Sequence, residues 1–227
     1  MQAQSANSPE LAWRSVIDRA QAAAAGRPVR VIAVGKTRPA AALAALAALG
    51  QRAFGENYVQ EARAKQAELA GLDLEWHLIG PLQSNKCREV ARHFDWLQTL
   101  DRARLVPLLE RERPTGLPPL DVLVQVDIDD EPTKSGCAPD EVPALADLVS
   151  ASPRLRLRGL MAIPAPAIDH ADRARAFARM RALFERLRGT HPAIDTLSMG
   201  MSEDFELAIR EGATMVRIGS ALFGTRG

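Results

Sequence analysis

The chain has 227 residues, of which 47% are hydrophobic and 25% are charged, a composition typical of a soluble globular protein with one large domain or two small ones. A formal net charge of +1 gives no electrostatic argument for binding to nucleic acid or to an anionic membrane. The two cysteines, Cys87 and Cys137, indicate neither a zinc site nor a disulfide framework. The amino terminus is polar and no apolar run reaches the ~18 residues of a membrane span, so we expect a cytoplasmic protein.

Short apolar runs alternate with longer segments of helical period, which is the pattern of repeated strand–helix units around a parallel sheet. After an opening helix near residues 8–25, we predict eight strands that end close to Lys36, Asn57, Gly80, Leu100, Ile128, Ile163, Gly200 and Gly219. The mean step of about 26 residues between these ends is comparable with that of a (β/α)8 barrel. No long linker divides the chain. We therefore predict an α/β protein, a single (β/α)8 TIM barrel with an additional amino-terminal helix, that occupies residues 1–227 as one domain.

Lys36 follows the first predicted strand, in the segment VIAVGKT. A lysine at the end of a barrel strand can form a Schiff base with an aldehyde. Most lysines after a strand are simply solvated, and position alone does not separate the two roles. The letters GKT also occur in P-loops, but a P-loop needs Gly five residues before Gly35, and that position is Arg30. The P-loop interpretation therefore fails.

Two loops near the end of the chain have the features of a phosphate site, because barrels often bind phosphate after strands seven and eight. After the seventh predicted strand, Ser202 is expected at the start of helix DFELAIREG, where it can bind an anion, cap the helix or do both. After the eighth, Gly219 permits close approach of the backbone and Ser220 offers a hydroxyl. An aldehyde cofactor that carries a phosphate fits both Lys36 and these loops, and pyridoxal 5'-phosphate (PLP) is the commonest such molecule.

Arg217 shares the inward-facing parity of Gly219 on the last predicted strand. An inward arginine needs a partner, which is either the pyridine nitrogen of the cofactor or an acid such as Asp127 or Glu56. The sequence leaves both possibilities open. Asn57, at the end of the second predicted strand, is either a contact of the cofactor or a routine turn residue.

Three other features favour no further chemistry. His77 falls within the third predicted strand, where we expect a hydrogen-bonded core histidine. The acidic segment DIDDEPTKSG has Pro132 where a calcium loop requires Gly, so no metal site is predicted. The segment GMSED lacks the second Gly of a hydrolase nucleophile elbow, so Ser202 is not expected to be a nucleophile.

Seven segments occur in one order along the chain: AVGKT, FGENYVQE, WHLIGPLQSNK, KSG, GLMAIP, LSMGMSEDFELAI and VRIGSALFGTR. They resemble those of the pyridoxal phosphate homeostasis proteins, a family of single-domain PLP-binding barrels related to the barrel of alanine racemase. The similarity runs from about Val31 to Arg226. Gly35 departs from the family pattern, which usually has Ser before the lysine, and Asp127 stands where Asn is common and would pair with Arg217 or Lys36 if it faces inward.

The resemblance implies a role for each of the six candidate residues. Lys36 would carry PLP as a Schiff base, and Asn57 would lie against its ring. Arg217 would face the pyridine nitrogen. The phosphate would be held by Ser202, Gly219 and Ser220.

The resemblance also implies a PLP carrier with no established catalysis, and we expect a monomer whose partners are PLP and PLP-requiring apo-enzymes. The alternative is a PLP-dependent amino-acid racemase, which needs acid/base groups on both faces of its substrate. Alanine racemases take the second group, a tyrosine, from a further carboxyl-terminal domain that we do not expect here, and we expect Tyr58 to serve packing. An aldolase using Lys36 would need a proton shuttle that the sequence does not reveal. We therefore predict a carrier and not an enzyme.

Overall fold

In the computed structural model, which describes residues 8–129, 135–165 and 169–224, eight parallel strands form a closed barrel. The strands, β1 to β8 in chain order, are Arg30–Val34, Ala53–Glu56, Glu75–Leu78, Trp96–Leu100, Leu120–Gln125, Leu155–Met161, Thr196–Ser198 and Met215–Ile218. Strand β1 closes the ring against β8, where Arg30 lies opposite Met215 and Ala33 opposite Ile218. The predicted (β/α)8 barrel is confirmed, and every predicted strand end lies within three residues of an observed one. The assignment of residues 1–227 to one domain stays a prediction.

Helices surround the barrel. Within the described ranges, α1 to α9 are Pro9–Ala24, Ala40–Ala48, Val59–Glu68, Cys87–His93, Val106–Glu112, Val142–Ser150, His170–Thr190, Phe205–Arg210 and Ser220–Phe223. The additional helix α1 is confirmed: it begins where Ser8 Oγ accepts a hydrogen bond from the Leu11 amide, and it packs against α8 and α9. None of the described helices is both long and apolar enough to cross a membrane.

Buried apolar side chains form two clusters. The larger one packs the strands against the helices. The smaller one consists of strand residues and fills the interior of the barrel, with members Ile32, Ala53, Trp96, Leu123, Met161 and Met215. Polar side chains share this interior, because His77, Gln98, Ser198 and Arg217 are all 3% exposed or less. Burial of a polar group is costly unless it is hydrogen-bonded, so these four side chains need partners inside the barrel.

Candidate functional site

The carboxyl ends of β1, β2, β7 and β8 open into one pocket of about 350 Å³, a volume suited to a small organic ligand. The six residues singled out from the sequence all line this pocket: Lys36, Asn57, Ser202, Arg217, Gly219 and Ser220. Apolar side chains, among them Ile79, Ile163 and Met201, complete the lining. The structure therefore brings together every candidate residue that the sequence indicated.

Lys36 is half-buried and lies two residues beyond the end of β1. Within the described part of the chain, its ammonium group has no ion pair and no hydrogen bond. The amine is therefore available to a ligand in the pocket.

Three charged residues, Lys65, Glu56 and Glu61, form a cluster next to the backbone of Lys36. We call it the lysine–glutamate cluster. Lys65 Nζ lies 2.7 Å from Glu56 Oε1, 2.7 Å from Glu61 Oε1 and 2.7 Å from the carbonyl oxygen of Gly35. An ammonium group has three N–H donors, so all three donors of Lys65 are used. The peptide group just before Lys36 is thereby fixed to the cluster.

The same cluster holds the residue after Lys36. Thr37 has a φ of 63°, in the left-handed region that is unfavourable for a β-branched residue. Its amide donates a hydrogen bond to Glu61 Oε1. Since the peptide groups on both sides of Lys36 are anchored, the cluster sets the direction in which this side chain enters the pocket.

Glu56 carries an electrostatic cost. It is fully buried, and this burial raises its pKa to about 7, although the hydrogen bond and the positive charge of Lys65 act in the opposite direction. Its second oxygen, Oε2, has no hydrogen-bond partner among the described residues. The sequence prediction missed this cluster, and the usable signal was the i,i+4 spacing of Glu61 and Lys65 next to a strand end.

The two loops proposed to bind phosphate are joined by Ser202. Its Oγ accepts hydrogen bonds from the amides of Gly219, at 3.2 Å, and Ala221, at 3.3 Å. Backbone donors from the loop after β8 and from the first turn of α9 therefore converge on a hydroxyl from the loop after β7. This convergence suits an oxygen-rich anion.

The predicted position of Ser202 at the start of a helix is wrong. Helix α8 begins at Phe205, and Asp204 precedes it. Asp204 Oδ1 accepts a hydrogen bond from the Met201 amide, and Asp204 Oδ2 pairs with Arg173 Nε at 3.2 Å. These contacts hold residues 202–204 in a turn, which delays the start of the helix.

Gly219 is not required by the protein itself. Its φ of −115° is open to any residue, and a Cβ built there would meet Val34 at 3.5 Å, an ordinary van der Waals distance. Both Gly219 and Val34 line the pocket. A glycine here therefore leaves space for a ligand and not for another part of the chain.

Arg217 is buried in the barrel interior and also lines the pocket. It donates hydrogen bonds to Ser198 Oγ at 2.7 Å and to the carbonyl oxygen of Ala162 at 2.9 Å. In the described part of the chain it has no ion pair with Asp127 or Glu56, so the acid expected as one possible partner is replaced by neutral oxygens. Burial lowers the pKa of Arg217 to about 10, opposed by the charge of Asp204, and the group stays cationic at neutral pH.

Three further residues complete the comparison with the sequence. The backbone of Asn57 passes close to Gly80, since a Cβ at Gly80 would lie 2.2 Å from the Asn57 carbonyl oxygen. His77 is fully buried and hydrogen-bonded, which confirms a core histidine. The expectation that Tyr58 serves packing is wrong: it directly precedes α3 on the surface, is 61% exposed, and is not among the residues that line the pocket.

Comparison with known proteins gives consistent relationships. The family model of the alanine racemase N-terminal domain matches residues 11–227. The pyridoxal phosphate homeostasis protein of Pseudomonas aeruginosa is 56% identical over 211 residues, which cover 92% of this chain and 90% of that protein. The protein of the same name from Escherichia coli is 53% identical over 201 residues, covering 87% of this chain and 86% of that protein.

The chain is also similar to solved structures. The structure of PipY from Synechococcus elongatus with PLP bound has a TM-score of 0.85 and 39% identity, and the match covers 96% of this chain and all of that one. Alanine racemase from Corynebacterium glutamicum is 21% identical with a TM-score of 0.69, covering 96% of this chain and 62% of that one. The second likeness shows a shared barrel fold.

Proposed function

Because the chain belongs to the family of pyridoxal phosphate homeostasis proteins, we propose that it binds PLP in the pocket at the carboxyl end of the barrel and holds it without useful turnover. The observation that carries the proposal is Lys36, an amine without a partner among the described residues, which lies in the same pocket as loops able to bind a phosphate. PLP, when bound, supplies an aldehyde that condenses reversibly with a primary amine. Lys36 is the amine offered for that bond.

The phosphate would be held by the loops after β7 and β8. Ser202 and Ser220 supply hydroxyl groups, and the Gly219 and Ala221 amides supply donors that already converge on Ser202 Oγ. A phosphate group of about −1.5 to −2 charge at neutral pH is well matched by such donors. The absence of a side chain at Gly219 supports this assignment, since the space belongs to the pocket.

The ring would lie between Asn57 and Arg217. A guanidinium has five N–H donors, and two of those of Arg217 are used by Ser198 and Ala162. The others remain for an acceptor in the pocket, such as a pyridine nitrogen. An arginine donates a hydrogen bond without giving up its proton, so it leaves that nitrogen unprotonated and makes the ring a poor electron sink.

The racemase alternative is less well supported. Racemisation needs acid/base groups on both faces of the substrate. Among the described residues that line the pocket there is neither a tyrosine nor a histidine, and Tyr58 lies outside it. The carboxylates of this lining are Glu203 and Asp204, and Asp204 is already paired with Arg173 and hydrogen-bonded to the Met201 amide.

Transfer of PLP to PLP-requiring apo-enzymes, a monomeric state and a cytoplasmic location belong to the same proposal. The pocket opens at the end of the barrel, and the bond between Lys36 and the PLP aldehyde is reversible. Both features suit a carrier. Size-exclusion chromatography with light scattering would test the monomer. Transfer would be tested by activation of an apo-enzyme in the presence of a competing excess of free-PLP scavenger.

The test of the carrier assignment measures loss of the α-deuteron from a panel of labelled amino acids, with the Lys36→Ala variant as background. We expect exchange equal to that background. Lys36-dependent exchange on the order of 1 per second or faster would support the racemase and overturn the carrier. A visible absorption spectrum of the same sample shows independently whether PLP is bound.

A further inference from the structure

A continuous series of hydrogen bonds crosses the interior of the barrel. Arg217 Nη1 lies 2.7 Å from Ser198 Oγ, which lies 2.7 Å from Gln98 Oε1. Gln98 Nε2 lies 2.9 Å from His77 Nδ1, and His77 Nε2 contacts Glu75 Oε1. We call these five residues the interior chain.

The directions of the hydrogen bonds in the interior chain follow from Arg217 and from the Gln98 amide, whose oxygen faces Ser198. Arginine has no acceptor, so Ser198 Oγ accepts from Arg217 and donates its own proton to Gln98 Oε1. The amide nitrogen of Gln98 then donates to His77 Nδ1. That bond places the ring proton of neutral His77 on Nε2, which donates to the Glu75 carboxylate.

The interior chain connects opposite ends of the barrel. Arg217 is near the end of β8 and lines the pocket, whereas Glu75 is the first residue of β3 and pairs with Arg30 Nη2 at 2.7 Å. The three residues between them are fully buried. Because an unpaired polar group inside a protein is costly, each of the three constrains the orientation of the next.

The charges facing the interior chain agree with this direction. Burial lowers the pKa of His77, although Glu75 and Asp95 oppose the shift, so the imidazole is neutral at neutral pH. Burial alone would raise the pKa of Glu75, but the hydrogen bond from His77 and the charge of Arg30 hold it below its usual range. The neutral ring thus lies between an amide donor and a carboxylate acceptor.

We propose that Ser198, Gln98 and His77 are positioning residues that orient Arg217 toward its ligand. Glu75 accepts the hydrogen bond from His77 at the other end of the interior chain. A substitution in the barrel interior therefore changes the orientation of Arg217 although the substituted residue does not line the pocket. The orientation of the hydrogen bonds stands on the structure alone, whereas its effect on PLP rests on the proposed function.

The first test needs no cofactor. Two-bond ¹H–¹⁵N correlation spectra of protein labelled with ¹⁵N-histidine, with His77 assigned by its loss in His77→Gln, report the tautomer directly. We expect a neutral ring protonated on Nε2 at pH 7. A ring protonated on Nδ1, or on both nitrogens, would overturn the interior chain.

Reversing the polarity gives a sharper test. Gln98→Glu removes the donor to His77 Nδ1, and Glu75→Gln supplies an amide that can donate to His77 Nε2. In the double variant, His77 is expected to move to the neutral Nδ1-protonated tautomer. An unchanged Nε2-protonated ring would show that the neighbours do not set the tautomer.

The effect on the pocket is measured with PLP itself. Gln98→Leu removes the acceptor of Ser198, and we expect the Kd for PLP to rise on the order of five-fold. The control Leu123→Met, in the same interior, should change it by less than about two-fold. If Gln98→Leu does not fold, Ser198→Ala takes its place, with Thr196→Ala on the same strand as control.

The outcomes distinguish the proposed PLP binding from the proposed positioning role of the interior chain. A wild-type protein that does not bind PLP overturns the proposed function. A wild-type protein that binds PLP, with the interior variant and its control giving equal affinities, overturns the positioning role.

Discussion

Two lysines near the end of β1, Lys36 and Lys65, have opposite environments. Lys65 is 5% exposed, and its three donors all go to protein oxygens, one of them the carbonyl just before Lys36. Lys36 lines the pocket with no partner among the described residues. A lysine side chain thus holds the backbone at position 65, whereas at position 36 it is available to a ligand. Its role is set by the acceptors around it and not by its type.

The largest expected effect comes from removing Lys65. Lys65→Met leaves the buried Glu56 carboxylate and the partly exposed Glu61 carboxylate without their counter-ion, and breaking a buried ion pair costs about 3–5 kcal/mol. The control Lys86→Met removes a partly exposed lysine paired with Glu89, which is worth about 1 kcal/mol or less. Urea unfolding of both variants measures the difference. Equal losses would mean that the lysine–glutamate cluster is not a structural support.

Glu56 makes the lysine–glutamate cluster sensitive to pH. Because its pKa is raised to about 7 from 4.5, the folded state binds a proton more tightly than the unfolded state, and this contribution to stability is lost as pH rises from about 4.5 through 7. Its size is about 3 kcal/mol. In Glu56→Gln this slope should vanish, so the variant gains relative to the wild type as pH rises. Parallel stability curves between pH 5 and 8 would contradict the assignment.

The phosphate loops give a smaller effect, on affinity. The double change Ser202→Ala, Ser220→Ala removes two hydroxyl contacts, and we expect the Kd for PLP to rise about ten-fold or more. Pyridoxal, which lacks the phosphate, should lose much less. Titrations of both ligands against both proteins make the comparison. Equal losses for the two ligands would place the phosphate elsewhere.

The smallest expected effects come from alanine substitutions at two glycines, Gly35 beside the lysine–glutamate cluster and Gly219 in the pocket. A Cβ at Gly35 would lie 2.6 Å from Glu56 Oε1, so Gly35→Ala displaces the carboxylate and should cost about 1 kcal/mol of stability. Gly219→Ala meets only ordinary contacts, so it should leave stability unchanged and weaken PLP. If Gly219→Ala destabilised the protein as much as Gly35→Ala, the space at Gly219 would be structural.

The sequence was sufficient for the barrel and for the residues around the pocket. Strand ends are marked by local patterns, and in a parallel barrel all carboxyl ends share one face, so Lys36 and Ser220 had to come close. That step needs only the strand count and the chain direction.

The contacts behind the pocket could not be predicted in the same way. Ser198 and Gln98 are 100 positions apart, and no local pattern pairs a serine on one strand with a glutamine on another. The partner of Arg217 was missed for this reason, since two acids were considered and the structure supplies Ser198 Oγ and a carbonyl. Ser202 was placed at the start of α8, whereas Asp204 is the residue that precedes this helix and accepts the hydrogen bond of the Met201 amide. Polar residues within buried strands were the available signal.

The central claim is that Lys36, and not Lys65, is the amine that holds PLP. Borohydride reduction of PLP-loaded protein, followed by peptide mass mapping, locates the attached lysine directly. We expect the label on the peptide containing Lys36, none on Lys65, and no reducible chromophore in a folded Lys36→Ala variant. Label on Lys65, Lys86 or Lys134 in the wild-type protein, or an undiminished chromophore in Lys36→Ala, would contradict the account.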